Sequence, residues 1–196
     1  PKHGAFNMHG SLLPKYRGRV PVNWAIIRGE TETGATLHYM TKKPDNGDIV
    51  AQQAVPILPN DTAHEVFQKV TVAAEIALNN CLPSLLAGKA QAVKQDLSKG
   101  AYFGGRKAED GRINWTLPAH DIHNLVRGVT RPYPGAFSDT AKGRLMLWRT
   151  LLVTGGEAGR PILTGKDKHI VAQCADGGVL RILDAEMNGQ TLTPAM

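Results

Sequence analysis

Cysteine is scarce in this chain. Cys81 and Cys174 are the two among 196 residues, and neither has a C-x-x-C partner. That excludes a disulfide framework, argues against a metal site, and points to a reducing, cytoplasmic setting. Aromatic residues make up 6%, and they do not interleave with basic ones as in a nucleic-acid platform. No run of about 18 apolar residues occurs, so no transmembrane helix or membrane partner is expected. The opening PKHGAFNMHG lacks the charged head and apolar core of a signal peptide. It also lacks an initiator Met and leads almost directly into a strand pattern, which makes a piece of a longer chain the expectation. A basic tail is missing too. The net charge of +6 divides evenly between residues 1–111 and 112–196. Such a balance suits an anionic small ligand and is modest for a nucleic-acid binder, so nucleic acid is not an expected partner.

What the chain does have is the stretch AFNMHGSLLPKYRGR, residues 5–19. Residues two apart in an extended segment share a face, so Asn7 and His9 look into the same space. One brings an amide and the other a group that exchanges a proton near neutral pH. A loop follows with cations at alternate positions, Lys15, Arg17 and Arg19.

Further on, residues 22–28 read as a short helix ended by Gly29. Residues 35–41 and 48–55 read as strands joined by the turn cluster KKPDNG, which carries Asp45. Thr62 and Glu65 have capping-box spacing, and Val66, Val70, Ala73 and Ala77 give one apolar helix face reaching about Asn80, with Pro83 as a kink or second turn and Leu85, Leu86 and Gly88 as its finish. Residues 89–111 are polar and glycine-rich and read as a domain linker. Beyond it, Ile122, Leu125, Val126 and Val129 mark a helix, RPYPG (131–135) a rigid turn, and 136–139, 144–153, 169–175 and 179–185 short strands of a small barrel or sandwich.

Asn7, His9 and Asp45 form the sharpest chemical group. A histidine beside a carboxylate serves as general base. An asparagine amide can donate to an oxygen that turns negative in a tetrahedral intermediate. Together they suit transfer of an acyl-type carbon to an amine or water. Ser11 is the rival nucleophile, but GSLLP lacks the G-x-S-x-G elbow, and direct transfer is favoured.

FNMHGSLLPKYRGR, the following PVNWAI, TGATLHYMTKKPDNGDIVAQ and the later RPYPGAF resemble the formyltransferase family that uses 10-formyltetrahydrofolate. The resemblance implies an α/β fold: the C-terminal portion of a Rossmann-like formyltransferase domain over residues 1–108, lacking its N-terminal parallel-sheet part, then a small OB-like β-barrel over 109–196. It implies catalytic roles for Asn7, His9 and Asp45, with His9 handling the proton of the attacking amine, Asp45 supporting it, and Asn7 stabilising the oxyanion. Asp48 is the rival of Asp45. The implied co-substrate is 10-formyltetrahydrofolate, with no metal; the folate-binding residues are not assigned. HGSLLPKYRGR followed by PVNW is most similar to the branch that formylates the nucleotide sugar UDP-4-amino-4-deoxy-L-arabinose. The methionyl-tRNA branch is the alternative, and an OB-like nucleic-acid-binding module on an inactive remnant is an alternative of another class. A fused C-terminal dehydrogenase/decarboxylase domain is a further expected partner, and an unpaired strand edge would allow a homo-oligomer.

Lys15, Arg17 and Arg19 are candidates to grip a diphosphate, against a merely solvated loop. Tyr16 is a candidate substrate contact, and it and Trp24 are candidates for stacking on a ring, against packing of the loop and helix. Arg131 and Tyr133, with Phe137 nearby, are candidates to close the substrate site from the second domain, against a role in the domain junction. His38, His120, His123 and His169 read as structural, and Met146 and Met187 as core.

Overall fold

The computed structural model describes residues 4–153, 155–156, 158–166 and 169–192; the side chains of Lys166 and His169 are also outside the description, and with them the reading of His169. The chain divides into two units: residues 1–25 with 30–106, and residues 26–29 with 107–196.

In the first unit, β1 (Phe6–His9) is followed by a loop ending in the two-residue β2 (Arg17–Gly18); α1 (Pro21–Ile27) comes next, its last two residues counted with the second unit. β3 (Glu32–Tyr39) and β4 (Ile49–Pro56) form the hairpin. The sheet order is β1-β3-β4, all antiparallel, and Asn7 stands opposite His38 and His9 opposite Thr36. α2 (Ala63–Leu86) packs across β3 and β4. Thr62 caps it: its hydroxyl accepts from the Glu65 N–H, and the Glu65 carboxylate accepts from the Thr62 N–H. Val66, Val70, Ala73, Ala77, Cys81 and Leu85 face the sheet. Phe6 and Met8 pack with Leu37, Cys81 and Leu85. Strand alternation therefore turns Asn7, His9 and His38 to the opposite face.

Two expectations are corrected here. α2 runs unbroken through Pro83, where a kink or second turn is expected, and ends at Leu86, where Leu85, Leu86 and Gly88 mark its finish. Residues 89–106 are not a free linker: β5 (Tyr102–Phe103) pairs in parallel with β2, and Val93 bridges Ile49 through two backbone hydrogen bonds of 2.8 Å.

The second unit has α3 (Ala119–Val129), β6 (Ala136–Thr140), β7 (Gly143–Val153), β8 (Ile162–Lys166), β9 (His169–Gln173), β10 (Val179–Met187) and β11 (Gln190–Thr191). The antiparallel order β6-β7-β10-β9-β8, with β11 on β10, leaves β6 and β8 unpaired with each other among the described residues. The sheet is thus open rather than a closed barrel. Its core joins Ile122, Val126 and Val129 of α3 to Leu145, Leu147, Leu180 and Ile182. No described helix is long and apolar enough to cross a membrane.

Candidate active site

The site face of the first unit's sheet gathers polar groups, and the β3–β4 turn brings Asp45 to them. Asp45 has a left-handed φ of 55°, a conformation Asp tolerates better than most residues. Gly47 follows where any side chain would meet the Tyr39 carbonyl at 1.7 Å. Gln95 fixes the turn from outside, its amide donating to the Asp45 and Gly47 carbonyl oxygens at 3.0 and 2.6 Å. Tyr102 donates to the Pro44 carbonyl oxygen.

Asp45 is buried, and both carboxylate oxygens are engaged. Oδ2 accepts the Gly18 N–H at 2.8 Å. Oδ1 lies between two imidazoles, 3.6 Å from His9 Nδ1 and 3.5 Å from His38 Nε2. His9 Nε2 is 2.8 Å from the Tyr16 carbonyl oxygen. A carbonyl only accepts, so that nitrogen carries the hydrogen and Nδ1 is the basic atom of the neutral ring. Asn7 Nδ2 reaches His38 Nε2 at 3.3 Å. Asn7, His9 and Asp45 thus come together through one added residue, His38. Asp48, the rival carboxylate, is exposed at the turn's far end. The Ser11 hydroxyl donates to the Lys15 carbonyl oxygen at 2.6 Å, an assignment to the loop rather than to attack.

The other expected contacts divide. Lys15 pairs with Glu30 at 3.1 Å and Tyr16 donates to the same carboxylate at 2.9 Å. Both line a cleft of about 240 Å³ with Leu12, Thr33 and Lys99, and Asn7, His9 and Asp45 do not line it. Arg17 departs from the expectation of a phosphate grip. It is buried and donates to Asn46 and to the Leu97 and Gly100 carbonyl oxygens at 2.9, 3.2 and 2.8 Å, so its charge ties the loop to residues 97–100. Arg19 is exposed. Trp24 packs on Phe103 and donates to the Gly104 carbonyl oxygen at 2.9 Å, a packing role. In the second unit Arg131 is held by Asp184 and Glu186 over the Trp148 ring, and Tyr133 packs on that unit's core. His123 bonds Thr150 within the same unit at 2.9 Å. Among the described residues no group of three or more His, Cys, Asp or Glu could hold a metal.

This arrangement of a buried carboxylate, two imidazoles and an amide at a strand end is a set for moving a proton beside a developing oxyanion. The formyl transferase family model matches residues 1–82, and the model of the formyl transferase C-terminal domain matches residues 106–195. The chain belongs to the formyl transferase family.

Solved structures give the same fold. An N-formyltransferase from Helicobacter canadensis, in complex with folinic acid and dTDP-3-aminofucose, superposes with a TM-score of 0.77 at 24% identity, covering 95% of this chain and 66% of its own. HypX from Aquifex aeolicus, in complex with tetrahydrofolic acid, gives 0.71 at 21% identity over 97% of this chain and 34% of its own. A 4-N formyltransferase from Francisella tularensis gives 0.63 at 25% identity over 70% and 58%. The chain thus spans at most about two thirds of these relatives.

Proposed function

We propose that this chain belongs to an enzyme that transfers a formyl group from 10-formyltetrahydrofolate to the amine of a nucleotide-linked amino sugar. UDP-4-amino-4-deoxy-L-arabinose is the acceptor, the step used in lipid A modification and polymyxin resistance. The observation that carries the reading is Asp45 Oδ1 held between His9 and His38 on the face that also presents Asn7. The ligands of the Helicobacter canadensis N-formyltransferase, folinic acid and dTDP-3-aminofucose, support the substrate class. We read residues 1–108 as the C-terminal part of a Rossmann-like catalytic domain and 109–196 as an OB-like domain.

In this reading the acceptor nitrogen forms its bond to the formyl carbon and gives its proton to His9 Nδ1. Asp45 stabilises the resulting imidazolium. The formyl oxygen becomes an oxyanion and takes an amide hydrogen from Asn7. When the bond from carbon to the folate N10 breaks, His9 returns the proton to N10. Exposed Arg19 is the loop cation proposed to meet the diphosphate, while Arg131 and Tyr133 are proposed to act from the second unit.

The test offers the full-length protein 10-formyltetrahydrofolate with either the UDP-amino-sugar or initiator methionyl-tRNA. Formylated sugar with no formylated tRNA is expected. The reverse pattern would assign the chain to the tRNA branch.

A further inference from the structure

His38 faces Asn7 across the β1–β3 pair and is 1% exposed. Its Nδ1 lies 2.8 Å from the Tyr39 carbonyl oxygen and so carries a hydrogen. Nε2 of the neutral ring is then a bare acceptor. It meets two groups, the Asn7 amide at 3.3 Å and Asp45 Oδ1 at 3.5 Å. The first can donate to it. The carboxylate can only accept, so it bonds Nε2 only once the ring is protonated.

We propose that His38 is the positioning residue of this site. Neutral, it takes one Asn7 amide hydrogen at Nε2 and leaves the other for the formyl oxygen; protonated, it donates to Asp45 Oδ1 and draws that carboxylate from His9. Its part in catalysis rests on the formyl-transfer reading. The setting leaves few competitors for this switch. β1 contributes Asn7 and His9, the 40–48 turn contributes Asp45, and β4 places Ile49 opposite His38. The titratable side chain among the buried residues of α2 facing the sheet is Cys81, which packs with Leu37 on the other face of β3. Asp45 Oδ2 is tethered by Gly18, so Oδ1 is the atom left to be shared.

The test has two arms on the full-length protein. In the first, imidazole ¹⁵N resonances are followed across about pH 5 to 9. Neutral His38 is expected as the Nδ1–H tautomer. Its Nε2 signal should shift in Asn7→Ala and in Asp45→Asn, the two substitutions that change the groups beside that nitrogen. An Nε2–H tautomer, or no response to either substitution, would overturn the proposal.

The second arm is kinetic. A glutamine carbonyl reaches the place of Nε2 and can accept from Asn7, whereas asparagine reaches only the place of Nδ1. His38→Gln is expected to keep kcat within about tenfold, and His38→Asn to lose about 100-fold, with KM changing little in either. Equal losses in the two variants contradict the positioning role. Should the unaltered protein transfer no formyl group, the formyl-transfer reading fails, and the resonance arm alone decides whether His38 holds Asn7.

Discussion

At the scale of single residues, Asp45 joins the turn to the site. Its Asn substitution separates charge from geometry. Asparagine tolerates the φ of 55°, and its side-chain oxygen can still accept from Gly18. Asp45→Asn should therefore melt within a few degrees of the unaltered protein while kcat falls about 100-fold or more. A calorimetric scan beside a kinetic assay checks both; a large drop in Tm would assign Asp45 a structural task instead. Cys174 makes a different prediction. Burial, followed by the nearby Asp176 charge, pushes its thiol from 9.0 up to about 11. The folded state thus favours the neutral thiol. That contribution to stability is present below about pH 9 and is lost as pH rises from about 9 to 11, where the unfolded chain ionises first. Thiol reagents at pH 8 should leave Cys174 unmodified in the folded protein and modify it on unfolding, as mass spectrometry would show. The face shared by Asn7 and His9 follows from a local spacing of two, whereas Asp45 joined them through the family resemblance; His38, read as structural, gave no such signal, since its partner Asn7 is 31 residues away and across a strand pair.

At the scale of elements, the β2–β5 pair holds the loop that follows β1. Gly18 has φ +103°, and a Cβ there would meet the Phe103 carbonyl oxygen at 2.3 Å. Its N–H also holds Asp45. Gly18→Ala should push β5 away and loosen the Asp45 tether together, lowering kcat by about 100-fold through misplacement, with a smaller change in Tm than a core truncation gives. Activity near that of the unaltered protein would show that the pair is dispensable. The hairpin, α2 and the main strands of the second unit followed from alternation, caps and apolar periodicity. β5 did not, because two residues carry no period. β8 was hidden by Pro161 at its start and Gly165 within it, both tolerated because β8 is an edge strand. Pro83 does not interrupt α2, whose apolar face continues to Leu85. The burial of Arg17 is not legible in the loop itself, because the Leu97 and Gly100 carbonyl oxygens it donates to lie about 80 residues further along the chain.

At the scale of the whole molecule, the chain divides into two compact units: the first holds Asn7, His9, His38 and Asp45, and the second is, among the described residues, an open antiparallel sheet packed with α3. The chain belongs to the formyl transferase family and shares the fold of solved formyltransferase structures. The most direct measurement supplies the full-length protein with 10-formyltetrahydrofolate labelled with ¹³C in the formyl carbon and with the UDP-amino-sugar, beside a His9→Ala variant of equal Tm. The account predicts ¹³C-formyl amide on the sugar, formed about 100-fold or more slowly by the variant. Undiminished turnover in His9→Ala would contradict it.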